Sequence, residues 1–468
     1  MNFDLDSDSR LAIWNLTIKE IEDYYSNTEK LRVAPELKIL KVKEYITDYL
    51  SNNSFESGQE SINHVINGLK QFSVHTSHPS YFGLFNPRAN FPSIVADLIT
   101  AAFNPQLAAW SHAPFAAEVE NYLIQEFGKK FGYEPDSIDG VFATGGAEAN
   151  LTAILTALNN YFPDYSNNGL RSVEKSPVIY ASSESHHSII KAAMACGLGM
   201  QSVRNISVDD SLSMDIQMLE QKIKIDLSNG FFPLMIIATA GTTGAGVIDP
   251  LYAINSLAKK YNMWLHVDAA YGGGLCLSNQ SHLLNGIEFA NSITFDAHKW
   301  MSVPMSASLY LTRHKNILEQ TFRITTDYMP KEAKDMPVID PFVHSIQWSR
   351  RFMGLKIYLP FLFFGWEGYK TIINKQMEMG RLLRKKLTKN GWKIYNNTEL
   401  PVICFGKESF EQDPTEAQSI CNKLIGTGRV WLSVYSIRGT NTLRVCITNY
   451  DTKEEHIDSL VEDLKNYN

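Results

Sequence analysis

The chain has 468 residues, 44% of them hydrophobic, which is enough for a large core and two or three structural units. Its 43 basic and 50 acidic residues leave a net charge of −7, which argues against nucleic acid as a main partner and gives no reason to invoke an anionic membrane. The cysteines, Cys196, Cys276, Cys404, Cys421 and Cys446, are dispersed, odd in number and without CxxC spacing, so neither a disulfide scaffold nor a zinc site is expected and a reducing cytoplasm is the natural setting. The opening segment, Met1 to Arg10, is acidic and polar, unlike a secretory signal, and no apolar run reaches membrane-spanning length.

Residues 1–85 read as a helical arm, with amphipathic helices predicted over 11–26 and 37–52. Residues 86–360 read as a large domain in which short apolar strands, 141–144, 177–182, 234–240, 264–269, 292–297 and 307–312, alternate with helical stretches. Such alternation implies crossover units and an α/β fold with a mostly parallel central sheet, which binds ligands at the carboxyl ends of its strands. Residues 361–468 begin with a long helix and continue with strand candidates at 392–396, 400–406 and 443–450 around a helix near Gln418, a small α+β domain.

Each predicted strand end carries a motif. TGGAEAN (144–150) opens an alanine-rich helix, so Gly145, Gly146 and Ala147 form a Gly-loop at a helix N-terminus, where free amides and the dipole suit phosphate. VIYASSESHHS (178–188) ends in His186 and His187. MIIATAGTTGAG (235–246) breaks into Thr242 and Thr243, which turn chemistry alone would explain. WLHVDAAYGGG (264–274) ends on Asp268, and NSITFDAHKW (291–300) delivers His298 and Lys299. A lysine after a strand is ordinarily a solvated charge. Paired with a carboxylate at the end of another strand, it meets the two requirements of pyridoxal 5'-phosphate (PLP): an amine for the Schiff base and an anion that keeps the pyridine nitrogen protonated.

Taken in order, TGGAEAN, SSESHHS, AGTTGAG, HVDAAYGG and DAHKW resemble the PLP-dependent group II amino-acid decarboxylases, which include the aromatic L-amino-acid, glutamate and diaminobutyrate enzymes. The resemblance runs from about His78 to the C-terminus. It implies the aspartate aminotransferase-like fold type I and a homodimer in which the arm wraps on its partner. By residue, it implies Lys299 as the Schiff-base lysine, Asp268 as the partner of the ring nitrogen, His186 as the imidazole stacked on the ring and Thr243 as a donor to the ring hydroxyl. It likewise implies Ala270 beneath the ring and Gly145, Gly146, Ala147 and His298 around the phosphate. The polar, proline-rich stretch 321–345 reads as a lid, and in the family a loop here carries the tyrosine that protonates the carbanion left by loss of CO2; Tyr328 is the matching position.

Two departures stand out. Many members have Asn-Pro before the His-Lys pair, whereas this chain has Asp296 and Ala297, and a carboxylate beside a phosphate repels it unless it is bonded elsewhere. His187 occupies a position where aromatic members tend to have Ser and glutamate members Tyr, so it does not assign the substrate. The segments 78–92 and 110–115, with Arg88 and His112 among aromatic residues, are expected to line the substrate pocket, and Arg350 is a candidate for a carboxylate, the loop or an ordinary ion pair. The expected reaction is decarboxylation of a small-molecule L-amino acid. Two alternatives remain: another PLP reaction of the same fold (lyase, aminotransferase or aldehyde synthase), or a catalytically silent PLP-fold subunit.

Overall fold

The computed structural model describes residues 4–36, 38–52, 58–324, 326, 329, 333 and 335–467. Seven strands, β1 (Asp139–Ala143), β2 (Pro177–Ser182), β3 (Val203–Ile206), β4 (Phe232–Thr239), β5 (Trp264–Asp268), β6 (Ser292–Asp296) and β7 (Ser308–Thr312), form one sheet in the order β1-β7-β6-β5-β4-β2-β3. From β6 to β3 every neighbouring pair is parallel, and β7 alone runs against both of its neighbours. The connection from β6 to β7 spans only residues 297–307, short of the dozen or more that a parallel crossover needs, so β7 turns back beside β6. The sheet matches the expected mostly parallel arrangement, with two additions. The reversal of β7 was not anticipated, and β3 was not predicted because its sequence, VRNI, sits at an edge with only Ile206 buried.

Helices cover both faces. The arm holds α1 (Ser7–Asn27), α2 (Ile39–Asn52) and α3 (Gly58–Phe72), followed by α4 (Phe91–Phe103), α5 (Pro114–Lys130) and α6 (Gly146–Tyr161). On one side of the sheet α5 contributes Leu123 and Phe127 to a core that includes Phe142, Leu265 and Phe295. On the other, Ala149, Ala153 and Ala157 of α6 lie against Ile179 and Ile237; their small side chains let the helix approach the strands closely. Because both faces are covered, β1, β2, β5, β6 and β7 are buried at every position, including the polar residues that alternate with apolar ones in β6 and β7.

A long helix, Leu355–Lys389, bends at Gly365, whose φ of +59° only glycine adopts without strain. It leads to a second, four-stranded sheet of β8 (Lys393–Ile394), β9 (Val402–Gly406), β10 (Ser433–Ile437) and β11 (Thr440–Cys446), all antiparallel in the order β10-β11-β9-β8. The helices Glu416–Gly426 and Glu454–Lys465 pack on it through Ile420, Leu424, Ile457 and Leu460. In the arm, α1 buries none of its own residues, and Leu11, Trp14, Ile18 and Ile21 leave an apolar stripe in solvent. No helix among the described residues is long and apolar enough to cross a membrane.

Candidate active site

The parallel strands bring their carboxyl ends to one rim of the sheet, and the motifs meet there. At the end of β5, the buried Asp268 accepts the backbone N–H of Ala270 at Oδ1 (3.1 Å) and the side-chain amide of Asn150 at Oδ2 (2.9 Å). At the end of β6 a single helical turn, Ala297–Trp300, lifts Lys299 into the cleft, with its Nζ 3.1 Å from Asp296 Oδ2 and 5.6 Å from the centre of the Phe85 ring. Asp296 also accepts the hydroxyl of Ser308 at Oδ1, while its Oδ2 stays beside Lys299 and Gly146.

From β1 the chain passes through Gly145, the N-cap, into α6, whose first N–H groups have no partner inside the helix. A Cβ on Gly146 would stand 3.1 Å from Asp296 Oδ2 and 3.5 Å from Ala270 Cβ, so a glycine here lets the helix start close against the neighbouring strand ends. Beyond β2, the Nδ1 of His186 accepts from the backbone N–H of Ser188 (3.2 Å) and lies 2.8 Å from its hydroxyl. Beyond β4 the two threonines separate. Thr242 turns inward to accept the N–H of Val247 (3.0 Å), whereas Thr243 borders the cleft and its carbonyl accepts from Arg444 (2.7 Å).

Gly146, Ala147, His186 and Thr243 therefore line one cleft with Asp268, Ala270 and Lys299. His298 stands behind it, its Nδ1 at 2.9 Å from the carbonyl of Ala307 and its Nε2 at 3.7 Å from Asp296 Oδ2; burial lowers its pKa. Tyr328 lies outside the described residues. The two arginines singled out from the sequence are committed elsewhere. Arg88 pairs with Asp451 (2.6 Å) and stacks on Tyr25, and Arg350 forms a buried pair with Glu120. His112 bonds Gln106 (2.8 Å). Of those flanking segments, Phe85 stands beside the lysine, its ring stacked on Tyr271 with ring centres 3.9 Å apart.

Sequence reasoning missed the polar residues beneath Asp268. His266 faces Ser292 and Asp268 faces Thr294 across the β5–β6 ladder, and Asn150 of α6 lies over them. The signal was present: polar residues at alternate positions, 266 and 268, 292 and 294, in otherwise apolar strands share one face. His266 is wholly buried, which pushes its pKa down to about 3, so the ring is neutral. An unfolded histidine takes up its proton near 6.5, so His266's own contribution to stability falls as pH drops from about 6.5 toward 3, by up to about 1.4 kcal/mol per pH unit, partly offset by Asp139 and Asp249, whose carboxyls burial pushes up to about 6. His344, pushed down to about 4 by burial, adds to the loss in the upper part of that window. Denaturant titrations at pH 7 and pH 5 should show a falling midpoint, and His266→Gln should reduce that fall.

An amine, a carboxylate, an exposed imidazole and a helix N-terminus converge on one cleft at the carboxyl rim of a mostly parallel sheet, and that donor set suits PLP. Sheet and cleft together define a PLP-dependent enzyme of fold type I. A family model, the pyridoxal-dependent decarboxylase conserved domain, matches residues 47–407. The chain belongs to the group II PLP-dependent decarboxylases, a family of carboxy-lyases. An L-aspartate decarboxylase of Metarhizium robertsii is 30% identical over 335 residues, covering 71% of this chain but only 66% of the relative, just under two thirds of its length. The crystal structure of mouse CSAD superposes with a TM-score of 0.90 at 25% identity, over 99% of both chains. Oryza sativa TDC with PLP and tryptamine gives 0.92 at 21% identity, over 100% of this chain and 99% of that one.

Proposed function

We propose that the protein converts an L-amino acid to the corresponding amine and CO2. The observation that carries this reading is the meeting of Lys299 and Asp268 in one cleft of a chain that belongs to the decarboxylase family. PLP, when bound, supplies the electron sink for the bond that breaks at Cα. Lys299 would hold the aldehyde through its amine. Asp268 would accept the ring N–H, His186 would lie against the ring, and Ala270 would leave room for it. Thr243 would donate to the ring hydroxyl, and Gly145, Gly146, Ala147 and His298 would surround the phosphate. The family supports these assignments residue by residue, as does the shared cleft for those that line it.

The relative that acts on L-aspartate places acidic amino acids first among substrates to test, with aromatic ones second. Carbon dioxide release from a panel of L-amino acids by purified, PLP-loaded protein tests the reading. Keto acid without CO2 would assign an aminotransferase, and bound cofactor without turnover would assign a silent subunit.

Tyr328 is proposed as the donor that protonates Cα once CO2 has left. Tyr328→Phe should still release CO2, while amine gives way to aldehyde, ammonia and peroxide as the carbanion meets oxygen instead of a proton. Product analysis checks this, and wild-type amine yield from the variant would make Tyr328 a spectator.

We also propose a cytoplasmic homodimer, built on the three-part division at residues 1–85, 86–360 and 361–468. All the cysteines are free and buried, as a reducing compartment permits. The uncovered stripe on α1 is more than one soluble subunit would leave in water, and a second copy would bury it. Light scattering should give twice the chain mass, and Trp14→Glu with Ile18→Glu should shift the equilibrium toward monomer.

A further inference from the structure

Asn150 stands one turn into α6 and is 1% exposed, and every hydrogen-bonding position of its amide is used. One N–H of its Nδ2 goes to Asp268 Oδ2 (2.9 Å) and the other to Ser188 Oγ (3.1 Å). Its Oδ1 accepts from Thr294 Oγ1 (2.9 Å) and from His266 Nε2 (3.0 Å). Chemistry fixes the direction of the amide, since the reverse orientation would set its oxygen against the Asp268 carboxylate, acceptor against acceptor.

That direction propagates both ways. Ser188 Oγ, having accepted from Asn150, donates to His186 Nδ1, which also accepts the Ser188 backbone N–H, so the neutral ring carries its proton on Nε2. On the other side His266 donates from Nε2, which leaves Nδ1 to accept from Ser292 Oγ (2.8 Å), and that oxygen accepts the indole N–H of Trp264 (2.8 Å). Burial keeps His266 neutral, as this arrangement needs. A chain of donors thus begins at Trp264 and ends on the two groups assigned to the cofactor ring.

We propose that Asn150 is a positioning residue for the cofactor ring: one locked amide holds both the carboxylate meant for the ring nitrogen and the imidazole meant for the ring face. The inference rests on the PLP reading above. Removing the amide would leave Asp268 Oδ2, the His266 N–H and the Thr294 hydroxyl without their partner in a dry site, where an unmet group is costly. Asn150→Asp keeps the size but faces Asp268 with a second acceptor.

The test has two parts, both on the full chain. In PLP-free protein, nitrogen-15 NMR of labelled histidine should find His186 and His266 neutral with the proton on Nε2; a proton on Nδ1 of His266 overturns the proposal. This part stands even if every variant fails to fold. In PLP-loaded protein with a labelled pyridine nitrogen, Asn150→Ala and Asn150→Asp should each lose ring-nitrogen protonation and bind PLP about tenfold more weakly. Wild-type nitrogen signal and affinity in folded variants also overturn it. Failure of the wild type to bind PLP would sink the proposed function instead, leaving the histidine signals to judge Asn150 alone.

Discussion

Lys299→Ala is expected to abolish the covalent attachment of PLP and to lower amine formation on the order of a thousandfold or more. The lysine enters the cleft on a single helical turn and faces Asp296 at 3.1 Å, and among the described residues that line the cleft it is the only lysine. Purified wild-type protein should be yellow, and borohydride should fix the cofactor to the peptide containing Lys299. A borohydride-reducible attachment that survives in Lys299→Ala would mean that another lysine carries the aldehyde.

Asp268→Asn should lower turnover by about 10² to 10³, the scale of removing one preorganised electrostatic partner from a buried site. The structure adds a cost that shape alone would not suggest. Both carboxylate oxygens accept N–H groups, from Ala270 and from Asn150, and an asparagine has only one acceptor oxygen to offer. One N–H must then face another, so Asp268→Asn is expected to melt earlier as well. Combining it with Asn150→Asp exchanges donor and acceptor across the same contact. The double variant should regain thermal stability without regaining turnover, which separates the fold from the chemistry; near-normal turnover in either variant would remove Asp268 from its assigned role.

The strand ends were legible because β1, β2, β4 and β5 are largely apolar runs stopped by small or polar residues, a pattern that burial on both faces produces. Asp268, Gly146 and Thr243 could be read at those ends for the same reason. What could not be read was set by neighbours distant in the chain. The reversal of β7 depends on the length of one turn, and the pairing of Arg88 with Asp451 and of Arg350 with Glu120 depends on tertiary placement; Arg88 was expected at the substrate pocket, and for Arg350 an ion pair was one of the readings left open. Asn150 was hidden inside a motif read for its glycines. Its contacts reach residues 188, 266, 268 and 294, and no local pattern reports them. The contacts of His298, to the carbonyl of Ala307 at 2.9 Å and to Asp296 Oδ2 at 3.7 Å, likewise had no local signature.

The place of β1 in the sheet has a consequence for biogenesis. Its ladder partner is β7, the last strand of the large sheet to be synthesised, about 170 residues after β1 leaves the ribosome. At typical elongation rates that is roughly 10 to 35 seconds during which the strand feeding the Gly-loop has no partner, while β2, β3, β4 and β5 can already associate. Contacts so distant in sequence form slowly, and a nascent strand edge left open invites chaperones or aggregation. The half of the cleft built by β1 is thus the last to be completed, and a chain stopped before β7 would carry Asp268 and Lys299 without a paired β1 to seat Gly146 and Ala147 opposite them.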